Sequence, residues 1–150
     1  MRVVSLTEKE CNALLDRVSL GRLGCALNNQ PYVVPVSFVR KGDQLFVFST
    51  LGKKIEWMRQ NPKVCLQADE IGSKSNWSSV LVNGTYQELD ETLHAAEREQ
   101  AKEKLAQYSN WWLLPLAQRR EKTEDQSVEV VFFSIQIEAV SGLRGVPEAQ

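Results

Sequence analysis

The chain has 150 residues, 43% of them hydrophobic and 25% charged, and its 18 basic and 19 acidic side chains leave a net charge of -1. That composition describes one globular domain, residues 1–150, long enough to bury a real core. The near balance of charge argues against nucleic acid or an anionic membrane as partner. Neither a secretory signal pattern nor an apolar run near the ~20 residues that cross a bilayer is present, so the expected compartment is cytoplasmic. Cys11, Cys25 and Cys65 are odd in number and far apart, which suggests neither a disulfide framework nor a CxxC metal site. With His94 the only histidine, no metal site is expected.

Thr7-Glu8-Lys9-Glu10 has the form of a capping box, and Cys11, Leu14, Leu15 and Val18 follow at helical spacing. An amphipathic helix ending near Gly21 is predicted. Arg22 to Leu27 and Pro31 to Arg40 then read as strands joined by the tight turn Asn28-Asn29-Gln30. Pro35 lies inside the second of them. Because proline cannot donate to a ladder, it marks either a plain edge or a backbone segment, Val34 to Ser37, that a planar ligand could border.

Lys41-Gly42-Asp43 turns into a short aromatic strand, Gln44 to Phe48, and Ser49, Thr50 and Gly52 follow as turn and helix-cap residues. A helix is predicted from near Gly52, with Ile55 and Met58 on one face, ending at Asn61-Pro62. At its start two hydroxyls, unpaired amides and the adjacent Lys53 and Lys54 converge. Paired lysines there are either a solvated face or an anion site, most naturally for phosphate. Positive charge opposes the helix dipole at this end, and a local rule broken in this way points towards function.

Lys63 to Asp69 reads as the next strand, Ile71 to Asn76 as a polar loop and Trp77 to Leu89 as a long strand. Gly84 within it suggests a bulge or a close backbone approach. Asp90 to Tyr108 is predicted as a charged surface helix with an apolar stripe of Leu93, Ala96, Ala101, Leu105 and Tyr108. Trp111-Trp112-Leu113-Leu114-Pro115 is an apolar loop that either packs under its own chain or lines a pocket or subunit contact. Val128 to Val140 is a strong closing strand, and the tail after Gly142 is expected to fray. Some six strands with hairpin turns and two or three helices make the fold mainly β, an antiparallel barrel with helical additions.

In order and spacing, GRLG (Gly21 to Gly24), PYVVPVSF (Pro31 to Phe38), FVFSTLGKKIEWMRQNP (Phe46 to Pro62), VCLQAD (Val64 to Asp69) and WSSVLVNGTYQEL (Trp77 to Leu89) resemble one family. It is the pyridoxamine 5'-phosphate oxidase-like, FMN-binding split-barrel superfamily, and within it the flavin-nucleotide-binding, nitroimidazole-reductase-like branch. The resemblance implies a six-stranded antiparallel split barrel that forms a homodimer, with flavin (FMN, or FAD) at the subunit interface. It places Ser49, Thr50, Lys53 and Lys54 at the phosphate, and Val34, Pro35, Val36 and Ser37 along the isoalloxazine ring. Trp77, Ser78 and Ser79 would complete the pocket. Phe48 stands where the branch often carries a histidine, and the ending SGLRGVPEAQ lacks the Trp and Arg with which true pyridoxamine phosphate oxidases grip their substrate.

The expected function is therefore an FMN-dependent oxidoreductase moving a hydride from a nicotinamide donor to a small-molecule acceptor. No catalytic side chain is assigned, because the cofactor carries the chemistry. The alternatives are a flavin-storage protein without turnover and a haem or deazaflavin binder on the same barrel.

Overall fold

A computed structural model describes residues 1–90, 92–106 and 130–149. In chain order they form β1 (Arg2–Ser5), α1 (Glu8–Arg17), β2 (Leu20–Leu27), β3 (Gln30–Lys41), β4 (Gln44–Thr50), α2 (Lys53–Gln60), β5 (Lys63–Ser73), β6 (Asn76–Glu88), α3 (Ala95–Ala106) and β7 (Val130–Val146). The strands run β1-β7-β4-β3-β2-β5-β6, and β6 pairs back onto β7, so six of them close a ring while β1 flanks the end of β7. Every pairing is antiparallel. This is the split barrel that the strand pattern and the family resemblance imply.

Alternation drives the closure. Leu23, Phe38, Leu45, Val47, Leu66, Ala68, Val80, Val82, Phe133 and Ile135 are fully buried and meet in one core, because residues two apart along a strand share a face. Ile55 and Met58 of α2 and Leu14 and Leu15 of α1 join that core. Asn28 and Asn29, with φ of 50° and 65°, make the two-residue turn that matches strand twist. Thr7 and Glu10 form both hydrogen bonds of the capping box.

A second, smaller core lies outside the ring, where Val39, Phe46, Phe48 and Phe132 meet Leu89 and Ala101. Phe48 and Phe132 stack with centroids 4.5 Å apart. Of the predicted stripe on the charged helix, Ala101 is buried, Ala96 is exposed and Leu93 precedes the helix in solvent. The Trp111-Trp112 segment lies outside the described residues.

Several boundaries differ from the sequence-based expectation. The segment 71–73, predicted as loop, continues β5, with Ile71 opposite Trp77; both faces are wet there, so no burial pattern marks it. The tail after Gly142 does not fray, since Leu143 to Val146 pair with β1 and, as far as Gly145, with β6. Its glycines resemble turn residues but serve close packing. A Cβ on Gly145 would lie 2.5 Å from the Trp77 indole nitrogen, and one on Gly142 would lie 2.8 Å from Leu6. Gly84 does sit at a bulge, with the register to β7 shifting between Asn83 and Gly84. No described helix is long and apolar enough to cross a membrane.

Candidate functional site

The barrel opens at β3, and proline is part of the reason. β3 pairs with β2 from Gln30 to Ser37 and with β4 only from Phe38 to Lys41, so it changes neighbour between Ser37 and Phe38. Phe38 N–H donates to the Ser19 carbonyl on the β2 side at 2.9 Å. Amides alternate sides along a strand, so the position of Pro35 points its missing N–H away from β2, at an edge that β4 leaves unpaired among the described residues. No ladder bond is lost there. The edge half of the sequence expectation for Pro35 holds: it stands on an edge, beside an opening in the sheet among the described residues. Val34 and Val36 turn towards the core, whereas Pro35 is exposed on the outer face.

The other wall of the cleft is the end of β4 and the start of α2. Ser49 is buried on the same side of β4 as Leu45 and Val47, and Thr50 pairs with Val130 as the last residue of the strand. These hydroxyl residues extend β4 and do not cap α2, contrary to the sequence-based reading. The cap position belongs to Gly52, and no side chain bonds the first amides. Those amides remain available to an anion.

The two lysines are not equivalent. Lys53 is exposed, yet its ammonium lies 4.6 Å from the centre of the Trp57 ring and 5.1 Å from that of Tyr32. The rings themselves are 5.8 Å apart and tilted by 56°. This cation-π clamp was readable in part, because Lys53 and Trp57 are four residues apart on a helix. Lys54 is half-buried. Burial pushes its pKa down, with the Cys25 thiol acting weakly the other way. Neither lysine takes part in an ion pair among the described residues.

α2 is held firmly at its far end. Arg59 makes a two-pronged contact with Glu88 at 2.6 and 2.8 Å, and the Tyr86 hydroxyl donates to the same carboxylate at 3.0 Å. Asn61 Nδ2 donates to the Ala26 carbonyl at 2.9 Å. Sequence reasoning missed this anchor, since nothing in the spacing of Arg59 and Glu88 reveals that α2 crosses beside β6.

Trp77, Ser78 and Ser79 stand apart. They lie on β6, three strand spacings from β3 by way of β5 and β2, or roughly 14 Å at the usual separation. Ser79 Oγ accepts from Gln67 Nε2 at 3.0 Å in a network with Asp69 and Arg22, while the Trp77 ring lies against Gly145. Within one chain, then, Val34 to Ser37 lie on β3 beside the end of β4 that carries Ser49 and Thr50, Lys53 reaches Tyr32 near the start of β3, Lys54 lies near Cys25 of β2, and Trp77 to Ser79 lie on β6, elsewhere on the sheet. The cleft offers an unpaired strand edge to hydrogen-bond a flat polar rim, beside free amides and unpaired cations suited to phosphate.

A family model described as pyridoxamine 5'-phosphate oxidase matches residues 7–144. An uncharacterized protein of Rhizobium meliloti is 37% identical over 147 residues, 95% of each chain. A FAD-binding protein from Mesorhizobium loti is 39% identical, with a TM-score of 0.82 over 98% of this chain and 99% of its own. The FAD-binding protein of Mycobacterium smegmatis has the same fold at 19% identity, with a TM-score of 0.66 over 95% and 98% of the two chains.

Proposed function

The chain belongs to the pyridoxamine 5'-phosphate oxidase family, and from that membership we propose that it binds a flavin nucleotide in the cleft between β3, β4 and α2 and acts as a flavin-dependent oxidoreductase. The observation that carries this reading is Lys54, a half-buried cation without an ion-pair partner among the described residues, at the uncapped start of α2. Keeping such a charge out of water is costly unless an anion completes it. The 39% identical relative described as FAD-binding supports a flavin as the molecule that brings that anion.

Lys54, Lys53 and the first amides of α2 would hold the phosphate. The open edge of β3 would meet the polar rim of the ring system, and Ser49 and Thr50 would border the space between. When bound, a flavin supplies hydride-accepting chemistry, and the protein contributes position, exclusion of water and local charge. A nicotinamide donor and a small acceptor fit this division of labour, in which no acid-base pair of side chains is required.

The separate position of Trp77 to Ser79 supports a homodimer. Residues roughly 14 Å from the cleft in one chain would reach a flavin held by a second copy, provided the outer face of the barrel is the contact. That face exposes Val33, Leu81 and Leu143.

The test begins with the visible spectrum of the purified protein, where bands near roughly 375 and 450 nm mark bound flavin. Anaerobic addition of NADH or NADPH should bleach them. Persistent colour with every donor would move the assignment to flavin storage. Changing both Lys53 and Lys54 to Ala should weaken FMN by roughly two to four orders of magnitude and leave riboflavin, which has no phosphate, little affected.

A further inference from the structure

We propose that Tyr32 and Trp57 are positioning residues for the phosphate site, whose ring faces hold the Lys53 ammonium ready for the anion without neutralising it. The proposal rests on the flavin reading above and adds two side chains to its phosphate end. Lys53 is exposed, yet its ammonium stands 4.6 Å from the centre of the Trp57 ring and 5.1 Å from that of Tyr32. Both distances lie within the roughly 6 Å over which a ring face attracts a cation.

Each ring comes from an element that bears on the site. Trp57 follows Lys53 by about one helical turn, and helical side chains lean towards the N-terminus, so its ring slopes back towards the ammonium. Tyr32 stands on β3 opposite Cys25 of β2, two residues before Val34 and on the same face of the strand. Both rings are half-buried and pack against the main core, so they are in place before any ligand arrives. Tyr32 thus links the strand edge assigned to the ring system with the helix end assigned to phosphate.

The use of rings where a carboxylate could stand is what points to an anion. A free lysine end samples many rotamers, and ordering it only when the ligand binds lowers affinity. An Asp or Glu could order it in advance, but a carboxylate would cancel its charge and compete with phosphate for its donors. An aromatic face attracts the cation through its quadrupole and leaves the charge in place. The same helix shows both devices. At its far end Arg59 is held by Glu88 at 2.6 Å, where the task is anchoring, whereas Lys53 has no acidic partner among the described residues. Lys54, half-buried beside it, is restrained by burial and needs no clamp.

The experiment titrates FMN and riboflavin into the full chain and into Trp57→Met, Trp57→Phe, Tyr32→Leu and Tyr32→Phe, with thermal melting to check the fold of each. Methionine keeps an apolar side chain that a helix accepts. Trp57→Met should weaken FMN by about five- to thirtyfold and leave riboflavin, which has no phosphate, within about threefold. Trp57→Phe keeps a ring face and should recover most of that loss. Tyr32→Leu should act in the same direction as Trp57→Met, and Tyr32→Phe should bind as the wild type does. In a Lys53→Met background, Trp57→Met should change FMN affinity by less than about threefold, because the rings act through that lysine. Unchanged FMN binding in Trp57→Met, a loss that persists undiminished without Lys53, a Phe variant as weak as its aliphatic counterpart, or equal weakening of both flavins would each overturn the clamp and leave the flavin reading intact. Failure of the wild type to bind either flavin would overturn both.

Discussion

A single buried or half-buried side chain can show whether a position was shaped for stability or for a ligand, and Lys54, Ser134 and Gly84 differ in this respect. Lys54 has an ordinary value of 10.5 that burial lowers, so the folded chain holds its proton less tightly than the unfolded chain does. Stability at this site therefore rises as pH climbs through the interval between the lowered value and 10.5. At neutral pH the charged ammonium is a cost. Lys54→Met should accordingly stabilise the flavin-free protein at pH 7 by on the order of 0.5 kcal/mol, a gain kept small by the water around a half-exposed group. In thermal melts this gain should disappear above pH 10.5, and flavin affinity at pH 7 should fall by about tenfold to a hundredfold. Ser134 Oγ is fully buried without a hydrogen-bond partner among the described residues, so Ser134→Ala should be neutral or stabilising by up to about 1 kcal/mol. A loss above that in urea unfolding would reveal a partner. Gly84 tolerates no side chain. A Cβ there would lie 2.2 Å from the Gln136 carbonyl oxygen, and Gly84→Ala should cost about 3 kcal/mol in the same measurement.

At the scale of elements, α2 places the lysines and is pinned away from them. Its Ile55 and Met58 are fully buried, so Ile55→Ala should cost about 2 to 5 kcal/mol. The Arg59-Glu88 contact is half in solvent, with side chains 43% and 38% exposed, and is worth at most about 1 kcal/mol. The guanidinium of Arg59 holds the Glu88 carboxyl below its ordinary 4.5. A depressed carboxylate stabilises above its unfolded value and stops doing so as pH falls through its folded one. The melting difference between wild type and Glu88→Gln should thus be present at pH 7 and vanish well below pH 4.5. The sequence revealed α2, its buried face and its lysines, because helical spacing and Asn61-Pro62 are local signals. It also revealed β2 to β4, through alternation and turn chemistry. It did not reveal β1, the end of β5 or the last pairs of β7, whose strands are largely exposed on both faces or rich in glycine and are specified by their partners. Nor did it reveal the clamp of Tyr32 and Trp57 around Lys53 in full, because one ring arrives from a strand.

At the scale of the whole molecule, β6 and β7 close the ring along Trp77 to Glu88, and the C-terminal end of β7 adds the last three of those pairs and all of β1. Removing residues 143–150 should therefore release β1, fray the seam at Trp77 to Ser79 and lower the midpoint of thermal unfolding by several degrees, as a loss of only ~1 kcal/mol already shifts it by about 2 to 8 °C. The proposed dimer should bury more than ~1,000 Å² across its two-fold contact, and light scattering at micromolar concentration should return twice the chain mass. A monomer mass would separate Trp77 to Ser79 from the flavin site. A cleft in a barrel also leaves a strand edge uncovered, and an uncovered edge is a template on which another chain can add a strand. Pro35 interrupts that template where a docking strand would seek an amide donor. Pro35→Val would restore the donor on an exposed, apolar edge, so this variant should form large aggregates on standing at concentrations where the wild type stays clear. The residue whose missing amide leaves the β3 edge without a lost ladder bond thus also denies that edge to other polypeptide chains.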